Sequence, residues 1–332
     1  MIYTDPVQAA EPFAQQIRAA QRVLLLTHLN PDGDAIGSLL GMWHALQALG
    51  KPALALALPP LPFYTHWLPG LDQVQLYSPG DSLPACDLVI MVDTATTART
   101  GVIAEEHAAT LASLPIAIVD HHVTNDGAGT LNLIDPHAAS TCELLYGLFR
   151  AMDVPITPQI ATCLLLGHTT DTQSYQTSST TPASLQVAAA LLAAGADHAS
   201  IVREVYYALP SSSARLIGLA LSGLQVRDRV AWTTVTQAMM ETSGAEDEAA
   251  DEVLRVMQRI GEARVLALFK ERRDGTTKLS LRSRAPLNVA RLAQHWGGGG
   301  HAQAAGATLA LPPAQAEAEV LPLLHRLVEA EG

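Results

Sequence analysis

Cysteine is scarce: the chain of 332 residues carries three, Cys86, Cys142 and Cys163, far apart and odd in number. Such a set excludes a disulfide framework and fits reduced thiols in a cytoplasm. Cys142 and Cys163 fall within helical apolar patterns, which suits packing in a core. No apolar run approaches the roughly 18 residues of a membrane span, so no membrane partner is expected. The opening stretch MIYTDPVQAAEPFAQQ places no basic segment ahead of an apolar one. It therefore does not read as a signal peptide, and a cytoplasmic location is expected.

Basic residues are sparse in one part of the chain only. Residues 1–200 hold 5 Lys and Arg against 17 Asp and Glu, whereas residues 201–332 hold 15 of each. The net charge of −12 thus lies entirely in the first part. This balance disfavours long nucleic acid, and duplex above all, because tracking it takes many phosphate contacts. It suits divalent cations on the acidic part and a small anionic substrate on the arginine-bearing part. With 48% hydrophobic and 16% charged residues, the composition is globular, and the length allows two domains.

Apolar runs at 22–28, 53–58, 74–77, 87–93 and 116–122 alternate with helical periodicity, clearest at 35–49, 140–152, 158–168 and 183–194. Strands alternating with helices predict an α/β fold, a parallel sheet with helices on both faces. Residues 195–224 read as a mostly helical connection. Strands are then expected at 230–236, 264–271, 276–283 and 307–311, and helices at 245–260, 287–295 and 313–330, a smaller α+β domain.

Several of the early runs end on acids and imidazoles. "VLLLTHLNPDGDAIGS" delivers His28, Asp32 and Asp34, "LVIMV" delivers Asp93, and "IAIVDHH" delivers Asp120, His121 and His122. The helical run "ATCLLLGHTT" delivers Asp171. Taken singly, each has a plain structural reading, such as Asp34 capping a helix that starts near Ala35. Groups at the carboxyl ends of parallel strands converge, however, and so many carboxylates and imidazoles together need positive charge among them. The set predicts a metal centre.

In order and character, "THLNPDGDAIGS", "VDTATTARTG", "VDHHVTN" and "GHTTDTQSY" resemble the four motifs of the DHH phosphoesterase family. "SLRSRAPLNVARLAQHWGGGGHAQAAG" resembles its associated substrate-binding domain, and within the family the chain looks most like the oligoribonuclease and 3′-phosphoadenosine-5′-phosphate (pAp) phosphatase group. The resemblance implies a catalytic metal-binding domain at 1–190, a helical linker at 191–224 and a substrate-binding domain at 225–332. It implies one ion on His28, Asp32 and Asp93 and a second on Asp34, Asp93, His121 and Asp171, with Asp93 bridging. Asp120 would orient its histidine neighbours, and His122 would face the scissile phosphate. His168 stands where an aliphatic residue is commoner, and Gln173 where glycine is commoner. Mixed oxygen and nitrogen donors disfavour Mg²⁺ and suit Mn²⁺, Fe²⁺, Co²⁺ or Zn²⁺. The resemblance selects two manganese ions, with Mg²⁺ and Co²⁺ as alternatives.

The run "GGGGHAQAAG" leads into an apolar strand and is expected to be a loop. Its backbone N–H groups at Gly298, Gly299 and Gly300 would form an anion nest, with His301 adding a donor. Arg282, Ser283 and Arg284 on the neighbouring strand, and Arg99 from the acidic part, are further candidates for phosphate. The implied reaction is two-metal hydrolysis of very short oligonucleotides to mononucleotides and of pAp to AMP and phosphate. A cyclic-dinucleotide phosphodiesterase and a single-strand exonuclease stay open as alternatives, as does a homodimer, whereas GGGGHAQAAG with SLRS does not fit a pyrophosphatase and the apparent completeness of the ligand set argues against an inactive nucleotide sensor.

Overall fold

The five apolar runs expected in the first 135 residues become β2 (Val23–Leu26), β3 (Ala53–Ala57), β4 (Val74–Leu76), β5 (Leu88–Val92) and β6 (Ile116–Asp120), joined by two further strands, β1 (Ile2–Tyr3) and β7 (Leu131–Ile134). They are seen in a computed structural model that describes residues 1–247 and 249–330, with the backbone alone described at His301. Their order is β1-β7-β6-β5-β2-β3-β4, and every neighbouring pair is parallel. From β2 the chain builds outward through β3 and β4. It then returns to β5 on the other side of β2 and builds the opposite way. The reversal therefore falls between β2 and β5, where open parallel sheets form their ligand crevice.

The sheet is covered on both faces, which explains why its strands read as unbroken apolar runs. Val23 and Leu25 of β2 enter one core together with Leu88, Ile90 and Val92 of β5. Leu24, Leu26, Val89 and Met91 point the other way into a second core. Helices α1 (Pro6–Ala19), α2 (Gly33–Ala48), α3 (Val102–Glu106), α4 (Ala108–Ala112), α5 (Thr141–Ala151), α6 (Pro158–Asp171), α7 (Pro182–Ala193) and α8 (His198–Tyr206) complete this unit.

Neither α1 nor β7 was expected. Pro6 and Pro12 disguise the helix, although Pro6 sits at its tolerant first position. Asn132 disguises the strand; its buried side-chain amide donates to the carbonyls of Met1, Gly127 and Gly129 and so satisfies itself.

Small residues let α2 and α6 cross closely. Gly33, Gly37 and Gly41 recur every fourth residue and so share one face of α2. A Cβ at Gly37 would stand 2.5 Å from the Cys163 carbonyl oxygen, and one at Gly167 would stand 2.7 Å from Asp34 Oδ1. This crossing sets the separation between the start of α2, which carries Asp34, and the end of α6, which carries Asp171.

The chain divides into two units after Ala208, so α7 and α8 go with the first unit. The second contains α9 (Ser211–Ser222), β8 (Gln225–Arg227), β9 (Val230–Val235), α10 (Gln237–Ser243), α11 (Ala249–Met257), β10 (Val265–Glu271), β11 (Thr277–Ser283), α12 (Ala290–Ala293), β12 (Gly299–His301), β13 (Ala304–Leu309) and α13 (Pro313–Glu329). Its sheet runs β12-β13-β11-β10-β9-β8; β9 and β10 are parallel and the other pairs antiparallel. One core lies beneath α13 and another beneath α9 and α11.

The glycine run is not the expected loop. Gly299–His301 pairs with Ala304–Gly306 as an edge strand. A Cβ at Gly298 would overlap the Gly306 carbonyl oxygen and one at Gly300 that of Ala304, so close backbone approach explains these glycines. The helix expected at 287–295 shortens to α12 followed by a 3₁₀ turn at Gln294–Trp296. Among the described residues no single helix is long and apolar enough to cross a membrane.

Candidate metal centre

β2 and β5 lie side by side at the reversal, and the residues just beyond them are the ones the sequence singled out. His28 follows β2 and Asp93 follows β5, their side chains meeting at 3.4 Å between Nε2 and Oδ2. The next strand, β6, carries Asp120 at its end and His121 and His122 beyond it. His121 Nε2 lies 3.7 Å from Asp93 Oδ1, 3.6 Å from Asp171 Oδ2 and 4.0 Å from Asp34 Oδ2. Asp93 Oδ2 thus faces His28, while Oδ1 faces both His121 and, also at 3.7 Å, His122 Nδ1. Ligand atoms of His28, Asp32 and Asp93 lie within 4.8 Å of one another, as do those of Asp34, His121 and Asp171.

The hydrogen bonds around each imidazole decide which nitrogen faces the carboxylates. His28 Nδ1 donates to the Leu29 carbonyl at 2.8 Å and His121 Nδ1 to the Ala138 carbonyl at 3.3 Å. A carbonyl can only accept, so each neutral ring carries its proton on Nδ1 and turns a lone pair on Nε2 toward the acids. Lone pairs facing carboxylates need a cation between them: a proton in the metal-free protein, a divalent ion when one is bound. The donor set therefore fits divalent metal, with His28, Asp32 and Asp93 around one position and Asp34, His121 and Asp171 around another.

Charge balance in the metal-free protein points the same way. Burial would raise the Asp93 carboxyl, but the His28 contact and the nearby imidazoles hold it at about 2. Asp171 is pushed up to about 8 by burial and by the Asp32 and Asp93 carboxylates. Asp34 is also raised, by burial and by Asp93 and Asp171. Part of this cluster must take up protons when no metal is there.

Local structure aims each ligand. Asp32, not Asp34, is the N-cap of α2; its Oδ1 accepts from the Asp34 and Ala35 N–H groups at 3.0 Å each. Asp34 is thereby free to turn inward, where Oδ2 accepts from Thr141 N at 2.7 Å and Oδ1 from Cys142 N at 3.1 Å. These are orphan donors of the first turn of α5, a natural seat for a carboxylate. The Thr141 hydroxyl donates to Asp93 Oδ1 at 3.0 Å. Asp93 itself sits at φ 54°, a left-handed conformation that turns its side chain away from the strand direction.

His122 is held differently. Its Nδ1 donates to Asp120 Oδ1 at 2.7 Å, and Asp120 Oδ2 accepts from Asn125 Nδ2 at 2.7 Å. Burial opposes charge on this ring, yet the Asp120 bond and the Asp93 and Asp171 carboxylates raise it to about 9.

The remaining candidates are scattered. Arg99 is exposed, and its backbone carbonyl accepts from Leu29 N at 2.7 Å, pinning its turn beside His28. In the second unit Arg282 is half-buried, with Nη1 donating to the Leu281 carbonyl at 3.0 Å. Ser283 donates to the Leu287 carbonyl at 2.8 Å, shaping the following turn. Arg284 donates to the carbonyls of Ile260 and Gly261 at 3.1 Å each, which commits both terminal nitrogens to the fold. The His301 side chain lies outside the described residues; Gly299 and Gly300 form part of β12 and Gly298 directly precedes it. Sequence reasoning missed Thr141, Cys142 and Asn125. The "STCE" at 140–143 has the Ser-x-x-Glu pattern of a helix start, the one signal that could have marked α5 as a donor.

An acid and imidazole cluster at the reversal of a parallel sheet, with a mixed-sheet unit following it, defines a class recognised elsewhere. Residues 22–168 match the N-terminal domain of the DHH family and residues 233–330 match the DHHA1 domain. The chain is 37% identical to the bifunctional oligoribonuclease and PAP phosphatase NrnA of Thermus thermophilus, over 86% of this chain and 84% of that protein. It belongs to the DHH family. It is also 28% identical to the cyclic-di-AMP phosphodiesterase GdpP of Geobacillus thermodenitrificans, covering 94% of this chain and 48% of that one. A crystal structure of an exopolyphosphatase-related protein from Bacteroides fragilis shares the fold, with a TM-score of 0.88 and 23% identity over 97% of this chain and 98% of that one.

Proposed function

We propose that this protein is a metal-dependent phosphoesterase that hydrolyses very short oligonucleotides to mononucleotides and pAp to AMP and phosphate. The observation that carries the reading is the His28 and His121 Nε2 atoms facing different oxygens of Asp93, which suits two cations sharing one carboxylate. The 37% identity to a bifunctional oligoribonuclease and PAP phosphatase supports the substrate class. Manganese is the ion that mixed carboxylate and imidazole donors and the family resemblance favour. Bound there, the ions would polarise the phosphate and lower the pKa of the attacking water.

The chain's own residues do the rest. His122, oriented by the Asp120 hydrogen bond that favours its protonated form, neutralises a phosphoryl oxygen and offers a ring proton to the leaving oxygen. Asn125 in turn holds Asp120 through its other carboxylate oxygen. We assign the chemistry to the first unit. Selection of the nucleotide falls to the second unit, through Arg282 and the glycine edge strand. Arg99 serves the phosphate from the first unit.

Asp93→Asn tests the reading. It should cost several orders of magnitude in turnover and lower Mn²⁺ content together, with the fold retained. Near-normal turnover in Mn²⁺ would overturn the two-ion seat. The likeness to a cyclic-di-AMP phosphodiesterase supports a second reading, and the ratio of turnover on linear and cyclic dinucleotides separates the two.

A further inference from the structure

His168 is a fully buried imidazole on α6, one turn before Asp171, and nothing in the proposed chemistry uses it. Its Nε2 donates to the Ser184 carbonyl at 2.9 Å, which fixes the neutral tautomer with a lone pair on Nδ1. That lone pair accepts from the Ser140 hydroxyl at 3.1 Å. Ser140 is the N-cap of α5, and its oxygen in turn accepts from Glu143 N at 3.0 Å. Glu143 Oε2 accepts from Ala139 N at 3.3 Å, closing the turn. The next two residues are Thr141 and Cys142, whose N–H groups hold Asp34 and whose hydroxyl, at Thr141, holds Asp93.

We propose that His168 is a positioning residue for the metal ligands: by bridging the Ser184 carbonyl on α7 and the Ser140 hydroxyl, it locks the first turn of α5 and so aims Asp34 and Asp93. The inference rests on the reading of Asp34 and Asp93 as metal ligands. An aliphatic side chain here would fill the space but leave the Ser140 hydroxyl and the Ser184 carbonyl, both fully buried at residue level, without this partner. Burial also lowers the affinity of His168 for a second proton, which keeps the acceptor nitrogen available. Groups that hold a metal ligand directly, as Thr141 and Cys142 hold Asp34 and Asp93, commonly matter about 10- to 100-fold in metal affinity, and His168 acts on them through Ser140.

The test is Mn²⁺ titration calorimetry on the metal-free full chain, comparing His168→Leu, His168→Gln, Ser140→Ala and Asp34→Asn. Gln offers one donor and one acceptor, so it can rebuild the bridge. His168→Leu and Ser140→Ala should each weaken Mn²⁺ binding about tenfold or more, and His168→Gln should recover to within about threefold of wild type. Combining His168→Leu with Ser140→Ala should be no worse than the poorer single substitution, because both break the same path. A folded His168→Leu protein with wild-type affinity would overturn the proposal, as would equal losses for Leu and Gln, which would mark a packing role. If His168→Leu does not fold, Ser140→Ala and His168→Gln decide on the same criteria. Asp34→Asn keeps the two failures apart: unchanged Mn²⁺ binding in that variant would overturn the ligand reading itself.

Discussion

Adding one methyl group at either of two glycines of α2 should separate helix chemistry from helix packing. Gly37→Ala and Gly41→Ala each gain about 0.8–1 kcal/mol of helix propensity. Their surroundings differ. The new Cβ at Gly41 meets Leu164 Cδ2 at 2.6 Å, the far end of a side chain that can rotate. At Gly37 it meets the Cys163 carbonyl oxygen at 2.5 Å and Gly167 N at 3.0 Å, which is backbone of α6 and moves only if the helix does. Forced overpacking costs about 1–3 kcal/mol, more where the obstacle is rigid. Gly41→Ala should therefore be near neutral, and Gly37→Ala net destabilising by about 1–2 kcal/mol. In a unit of this size that is a Tm lowered by about 2–8 °C. Because α2 carries Asp34 and α6 carries Asp171, the Gly37 variant should also bind Mn²⁺ more weakly, while the Gly41 variant should not. Thermal melts of the metal-free protein and Mn²⁺ calorimetry read the two effects. Equal stability and equal affinity in the two variants would refute the idea that this crossing sets the ligand spacing.

Further outcomes are expected. Arg282→Ala removes a charge-assisted partner worth about 1.5–3 kcal/mol and should lower kcat/KM on pAp or a dinucleotide about 10- to 100-fold while sparing a minimal aryl phosphodiester; His122→Ala should lose activity on both. Of the three thiols, only half-exposed Cys86 should react quickly with a disulfide reagent in the native protein, since Cys142 and Cys163 are buried. Even Cys86 should lag a free thiol at about pH 8, because burial and Asp87 raise it; three fast thiols would contradict this packing. Asp87 accepts from the Arg22 and Gln21 N–H groups, which lowers its carboxyl. Its folded value lies below its unfolded one, so its contribution is present above about pH 4 and is lost as pH falls through the folded value. Melts of Asp87→Asn should accordingly differ from wild type at about pH 7 and converge below the carboxylate range; a constant offset would contradict the linkage.

Much of the candidate site was legible because strand ends are legible. A buried parallel strand is an apolar run that stops where it reaches solvent, so His28, Asp93 and Asp120 announce themselves by following such runs. What was not legible depends on contacts between distant segments. The local STCE pattern marks a helix start but not its partner, because the Thr141 and Cys142 N–H groups meet Asp34 only once α5 packs against α2. Gly33, Gly37 and Gly41 look like poor helix formers until α6 lies across them. The glycine run misled for the opposite reason: its composition suits a loop, but close pairing with β13 requires residues without side chains. Asp32 and Asp34 exchanged the capping role for a similar reason, since the helix begins ahead of its apolar pattern.

The candidate ligands come from segments spread between residues 28 and 171: the loops after β2, β5 and β6, the first turn of α2 and the last residue of α6. An unfolded chain keeps only His28, Asp32 and Asp34 near one another, so an ion that needs the full set binds folded protein far better than unfolded. It would act as a clamp on the first unit, stabilising it by about 2.7 kcal/mol at a hundredfold excess over the dissociation constant. The second unit has its own cores and contributes none of these ligands. Metal supply would thus set the lifetime of one half of the molecule and leave the other half indifferent, and metal starvation in a cell would expose the first unit to proteolysis before any loss of the second.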